Sequence, residues 1–215
     1  MSYEAVFAEL YELVKREMSA GGAHGFEHVE RVLRLAGRIA REEGADIEVV
    51  RFAALLHDLE RRMEDSGEVS CHAVASAERA EKLLKERGLS EEFIERVAEC
   101  IRSHRFRGNV APVSLEAKVL SDADKLDATG AVGIARAYLF GGRYGQRVWE
   151  AEPKRERFYP GMRGEDYSPR TEYELKLSRL KERMYTSTGR RIAEKRSSFM
   201  KLFFDELERE VRGED

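Results

Sequence analysis

The stretch Val49-Val50-Arg51-Phe52-Ala53-Ala54-Leu55-Leu56 constrains the fold most. Read as a helix, it is apolar on nearly every side, and such a helix is stable only when neighbours cover it all round. The chain must therefore supply several amphipathic elements to wrap it. The run ends on His57-Asp58. A carboxylate at the end of a buried helix costs heavily unless it is paired or binds a metal. The adjacent imidazole lies about 100° round the same helix axis and offers a second ligand. The five histidines, His24, His28, His57, His72 and His104, all lie in the first half of the chain. That clustering points to one polar site.

The wrapping elements read as helical stripes. Val6, Phe7, Leu10, Tyr11, Val14 and Met18 form the first, ended by Gly21-Gly22. A second helix, about Phe26 to Glu43, turns Val29, Val32, Leu33, Ala36, Ile39 and Ala40 inward and stops at Gly44. A charged loop follows from about Arg61 to Ser70. Helices then run from Cys71 to Arg87 and, capped by Ser90, to about His104. Ser114 caps the next, which reaches Asp122-Ala-Asp-Lys-Leu-Asp127. Gly130-Ala-Val-Gly133 continues it as a tightly packed helix, because glycine there marks close backbone approach.

The pattern breaks over 141–170, which holds Pro153, Pro160 and Pro169 and reads as a lid or an interface arm. Two helices close the chain, about Thr171 to Tyr185 and Thr188 to Val211. Phe199, Phe203 and Phe204 in the last are core or a dimer contact, so a homodimer stays open. No strand, internal repeat or glycine-rich phosphate loop is visible. The expectation is an all-α fold. One helical domain spans 1–215, with its motif core at about 22–140, the irregular arm at 141–170 and C-terminal helices at 171–211.

With 42% hydrophobic residues in 215, the chain can bury a core of this kind. A net charge of -3 gives no global pull toward nucleic acid or an anionic membrane. The basic stripe Arg190, Arg191, Lys195 and Arg196 reads as a solvated face. Cys71 and Cys100 lack the C-x-x-C spacing of a cysteine-built zinc site. No segment approaches the ~20 apolar residues of a membrane span, and no signal-peptide core is present. A cytoplasmic location with reduced thiols is the simplest expectation.

His28, His57, Asp58 and Asp124 each sit at a core-facing helix position. The interior between facing helices is where bundles build metal sites. Two imidazoles and two carboxylates suit Mn, Co, Ni, Fe, Zn or Mg, with no clean choice among them. Four ligands leave a position open for water, whose pKa falls on an ion that also polarises a phosphoryl oxygen.

The ordered set in its local context resembles the HD superfamily of metal-dependent phosphohydrolases. The carrying segments are His24-Gly-Phe-Glu-His28-Val-Glu-Arg31-Val, Leu55-Leu-His-Asp58, and Ser121-Asp-Ala-Asp-Lys-Leu-Asp127-Ala-Thr-Gly130-Ala. The tail from Lys181 to Arg196 is similar to that of small bacterial and archaeal members. The resemblance implies an all-helical core like the HD domain and one divalent ion on His28, His57, Asp58 and Asp124. It also implies hydrolysis of a phosphoester or phosphoanhydride. The substrate is then a small phosphorylated molecule, most commonly a nucleotide. The nearest subgroup resembles nucleotide pyrophosphohydrolases, which cut between the α and β phosphates.

Within that frame Asp58, His104 and Glu60 are the candidate catalytic residues. Arg31, Arg61, Arg62, His72, Lys125 and Asp127 are the candidates for holding phosphate or substrate. One departure stands out. Many hydrolytic members carry an acid three or four positions past the HD aspartate, where this chain has Arg61 and Arg62. Its acid, Glu60, is two past. Two other readings remain: a non-catalytic metal- or nucleotide-binding regulatory module, favoured by that displaced acid, and an RNA or cyclic-nucleotide phosphodiesterase.

Overall fold

The computed structural model describes residues 2–19, 25–105, 110–150 and 167–214. His24, the Gly21-Gly22 stop and residues 151–166 of the arm lie outside the described residues. Among the described residues every regular element is helical, as the stripes predict. No described helix is long and apolar enough to cross a membrane. The chain divides into two units, Met1–Asp124 and Lys125–Asp215.

The first unit is built around the apolar run. It comprises α1 (Tyr3–Glu17), α2 (Phe26–Glu43), α3 (Ile47–Leu56), α4 (Arg61–Ser66), α5 (His72–Glu86), α6 (Glu91–Ser103) and most of α7 (Leu115–Asp127). Helices α1, α2, α5 and α6 all pack on α3. Val49, Val50, Phe52, Ala53, Ala54, Leu55 and Leu56 are fully buried there. Each large side chain among them contributes about 1.5–3 kcal/mol of transfer free energy. The Phe52 ring meets Phe7 and Phe93 edge-on, each at 5.3 Å between centroids. Asp46 starts α3 by accepting from the Glu48 and Val49 backbone N–H groups at 3.0 and 3.3 Å.

Two local features differ from the sequence reading. Helix α3 ends at Leu56, so His57 is its C-cap and Asp58 lies in the turn beyond, whose carbonyl accepts from Arg61 N–H at 3.0 Å. The charged segment read as a loop contains α4, closed by Gly67 at φ 83°. None of α4's residues is fully buried, so it shows no apolar stripe to read.

The second unit holds α8 (Gly130–Arg143), α9 (Pro169–Leu175), a 3-10 helix (Leu177–Arg183) and α10 (Ser187–Arg212). Helices α8 and α10 pack on each other. The expected continuation of α7 through Gly133 does not form. The chain turns at Ala128–Thr129 and restarts at Gly130, whose φ of 70° disfavours other residues. The expected helix Thr171–Tyr185 is also split, at Lys176 with φ -132° and ψ -59°. Of the aromatic stripe, Phe204 is buried and stacks on Tyr173 at 4.3 Å, while Phe199 is exposed.

Gly133 shows why this stretch needs small residues. A Cβ there would stand 2.3 Å from the Ala128 carbonyl oxygen, a backbone atom that cannot swing away. Gly133→Ala is expected to destabilise by about 1–3 kcal/mol, the usual range for overpacking. Thermal unfolding should then show a midpoint several degrees lower.

Candidate metal centre

Four helix ends and one helix face deliver the polar cluster. His28 lies in the first turn of α2, one residue before Val29, and is 1% exposed. His57 caps α3 and is fully buried. His72 opens α5 and His104 caps α6, and both are buried. Asp124 projects from α7, with 27% of its side chain exposed.

The ring orientations follow from backbone carbonyls. His57 Nδ1 is 2.8 Å from the Ala54 carbonyl oxygen and His104 Nδ1 is 2.6 Å from that of Ile101. A carbonyl only accepts, so Nδ1 carries the proton in each ring and Nε2 faces the cluster. His57 Nε2 is then 3.3 Å from His28 Nε2. Asp58 Oδ2 lies 3.5 Å from His28 Nε2 and 3.7 Å from His57 Nε2. Asp124 Oδ1 lies 3.5 Å from His28 Nε2. The other Asp58 oxygen, Oδ1, faces His72 Nε2 at 3.1 Å and His104 Nε2 at 3.9 Å.

These spacings fit a shared ion. Donors about 2.1 Å from one cation stand about 3.0 to 3.4 Å apart in octahedral or tetrahedral geometry. Between His28, His57 and Asp58 the separations are 3.3, 3.5 and 3.7 Å, at or somewhat above that range. His28, His57 and Asp58 could hold a metal ion, and so could Asp58, His72 and His104, with Asp58 common to both.

Electrostatics agree with the geometry. Burial pushes the Asp58 carboxyl up, but the surrounding His57, His28 and His72 outweigh it and hold the group well below the usual carboxylate range. Burial acts likewise on Asp124, and His28, His104 and His57 override it downward. Burial keeps His104 neutral, with nearby His57 adding to the effect, and its pKa is lowered to about 4. Burial also opposes charge on His72, but Asp58 and Glu64 raise it overall.

These shifts set a pH dependence for the metal-free protein. A histidine depressed from 6.5 to about 4 contributes nothing above pH 6.5 and costs increasingly as pH falls from 6.5 toward 4. The cost is on the order of 3 kcal/mol. His72 acts oppositely: its contribution is complete below pH 6.5 and fades as pH rises through its raised value. Urea unfolding in a chelator should therefore weaken steeply between pH 6.5 and 4. His104→Gln should flatten that fall.

The other sequence candidates are placed as follows. The Glu60 carboxylate pairs with Arg79 at 2.9 Å, and Arg79 also binds Glu17. Arg61 lies 3.5 Å from Asp65, its Nε is buried without a hydrogen-bond partner, and its charge acts on His72. Arg62 is exposed. Arg31 is half-buried one turn after His28. In the second unit, the Lys125 ammonium sits 4.7 Å over the Tyr185 ring, and Asp127 is buried against Arg136 at 2.6 Å.

Sequence reasoning missed Glu64 and Arg105. Glu64 Oε2 is 2.6 Å from His72 Nδ1 and 2.8 Å from its backbone nitrogen. Arg105 binds the other oxygen, Oε1, at 2.5 Å. Burial raises the Glu64 carboxyl, but His72 and Arg105 bring it down to about 2.

Comparison with known proteins gives a consistent picture. Residues 25–129 match the HD domain family model. The chain is 38% identical over 197 residues to the uncharacterized protein YpgQ of Bacillus subtilis, covering 89% of this chain and 86% of that protein. The crystal structure of B. subtilis YpgQ in complex with ADP superposes with a TM-score of 0.76 at 32% identity, over 98% of this chain and 97% of the other. A crystal structure of a predicted HD superfamily hydrolase from an uncultured Thermotogales bacterium gives 0.68 at 31% identity, over 95% and 92%. The matched segment contains His28, His57, Asp58 and Asp124, and with a full-length relative at this identity the chain belongs to the HD superfamily of metal-dependent hydrolases.

Proposed function

We propose that this chain hydrolyses a nucleotide or related phosphate ester or anhydride, with a divalent ion held by His28, His57, Asp58 and Asp124. The carrying observation is the buried convergence of two Nε2 atoms on Asp58 Oδ2, with Asp124 closing on His28 at 3.5 Å. The nucleotide class is carried over from the ADP complex of the B. subtilis relative.

The chain's own groups have separable tasks. Asp58 and Asp124 stay ionised and bring negative charge to a site otherwise lined by imidazoles. His57 has committed its Nδ1–H to Ala54, so it can enter only through Nε2. A bound divalent ion supplies charge against phosphoryl oxygens and lowers the pKa of water. His104 Nε2, directed inward because its Nδ1–H is held by the Ile101 carbonyl, is the proposed acceptor of a proton from the attacking water. Arg61, whose charge acts on His72 at the edge of the cluster, is the proposed holder of a phosphate oxygen. Arg31, Arg62 and His72 are the further proposed phosphate- or substrate-contacting residues of the first unit, and Lys125 and Asp127 those of the second. Glu60 would have to leave the Arg79 guanidinium to act as a base.

That engagement of Glu60 favours the second reading, a regulatory module that binds metal and nucleotide without turnover. One panel separates the two. Nucleotides, phosphomonoesters and a short RNA are incubated with Mn, Co, Ni, Mg or Zn, and products are identified. Hydrolysis of a nucleotide that a chelator abolishes supports the enzyme. Saturable nucleotide binding with no product under any ion overturns it in favour of the module.

A further inference from the structure

We propose that Glu64, backed by Arg105, is a positioning residue that locks the His72 ring so that its Nε2 is held on Asp58. The geometry is a continuous file: Arg105 to Glu64 at 2.5 Å, Glu64 to His72 Nδ1 at 2.6 Å, and His72 Nε2 to Asp58 Oδ1 at 3.1 Å. A carboxylate only accepts, so the Glu64 contact fixes a proton on Nδ1 and turns Nε2 away from it. Glu64 is gripped twice by the residue it orients, because the His72 backbone N–H also donates to it at 2.8 Å. That second bond ties α4 to the first residue of α5 and removes the freedom of the His72 side chain relative to its own backbone. Arg105 follows His104 directly, so the same file links both histidines on the Oδ1 side of Asp58.

The consequence reaches the metal centre through Asp58. Its Oδ2 faces His28 and His57 while its Oδ1 is steadied by His72. Partners one step behind a ligand typically change metal affinity by about 10–100-fold when removed. Glu64 acts two steps behind, through His72, and its loss lets the ring rotate and frees the carboxylate to reorient. An isosteric amide can still accept from Nδ1–H through its oxygen, so Gln should preserve the ring's orientation where Ala cannot. The inference rests on the metal-centre reading for its effect on affinity, but not for the ring's orientation.

Two measurements on the full chain test it, with Glu64→Ala and Glu64→Gln. The first is the ring N–H proton spectrum of the metal-free protein. The expected result is a downfield, exchange-protected resonance, assigned to His72 by its loss in His72→Gln, that disappears in Glu64→Ala and survives in Glu64→Gln. The second is calorimetric titration with Mn. Affinity is expected to fall about 10–100-fold in Glu64→Ala and to recover to within a few-fold of the parent in Glu64→Gln. Persistence of the protected proton in Glu64→Ala overturns the proposal. So does unchanged Mn affinity in Glu64→Ala beside a parent that binds. If the parent binds no divalent ion, the metal-centre reading fails, while the proton spectrum still decides the positioning role.

Discussion

Asp58→Ala is expected to abolish divalent-ion binding and hydrolysis together. Asp58 is the one residue common to both ligand clusters, with each carboxylate oxygen serving a different pair of imidazoles. Loss of a mere outer partner costs about 10–100-fold in affinity or activity, and loss of this shared ligand should exceed that range. Asp58→Asn is the sharper variant, since it keeps the shape and removes only the charge. Removing the charge also withdraws the main support for a proton on His72, so its raised pKa should fall. Metal content after dialysis and product release in the same preparation check the result. Retained metal with retained turnover in Asp58→Asn would contradict it.

The largest stability effect is expected at Phe52. Its side chain is fully buried in α3 and its ring packs against Phe7, Phe93 and Tyr3 from two other helices. Phe→Ala in such a setting costs about 3–5 kcal/mol, through lost transfer energy and the cavity left behind. Against a total stability of about 5–15 kcal/mol, that loss is severe. His57 lies five residues further along the chain and takes its orientation from the Ala54 carbonyl, so a shift of α3 also disturbs the metal centre. Urea unfolding should show a lower midpoint, and metal affinity should weaken in parallel. A loss below about 1 kcal/mol would mean that α3 is not the hub of this unit.

Much of this was legible in the sequence. The run Val49–Leu56 required a wrapped helix, and four helices pack on it. The ordered His28, His57, Asp58 and Asp124 could be assembled from the sequence, and the structure places His57, Asp58 and Asp124 each 3.3 to 3.5 Å from His28 Nε2. What escaped has identifiable causes. Helix α4 buries no residue fully, so no periodic stripe announced it, and Glu64 was lost in a charged segment. Its partner Arg105 is 41 residues away in sequence, beyond any local pattern. Glu60 looked like a displaced catalytic acid, but Arg79 from α5 meets its carboxylate. Asp127 was open to several roles, and its pairing with Arg136 depends on the turn at Ala128–Thr129 that the helical reading ran through. In each case a side chain's partner, not its own position, carried the information.

His28, His57, Asp58 and Asp124 are proposed to hold one divalent ion. Anomalous diffraction from crystals grown with Mn tests it most directly. An anomalous peak is expected about 2.0–2.3 Å from Nε2 of His28 and His57 and from a carboxylate oxygen of Asp58 and Asp124. Full Mn occupancy at some other site, with no peak between these four side chains, would contradict it.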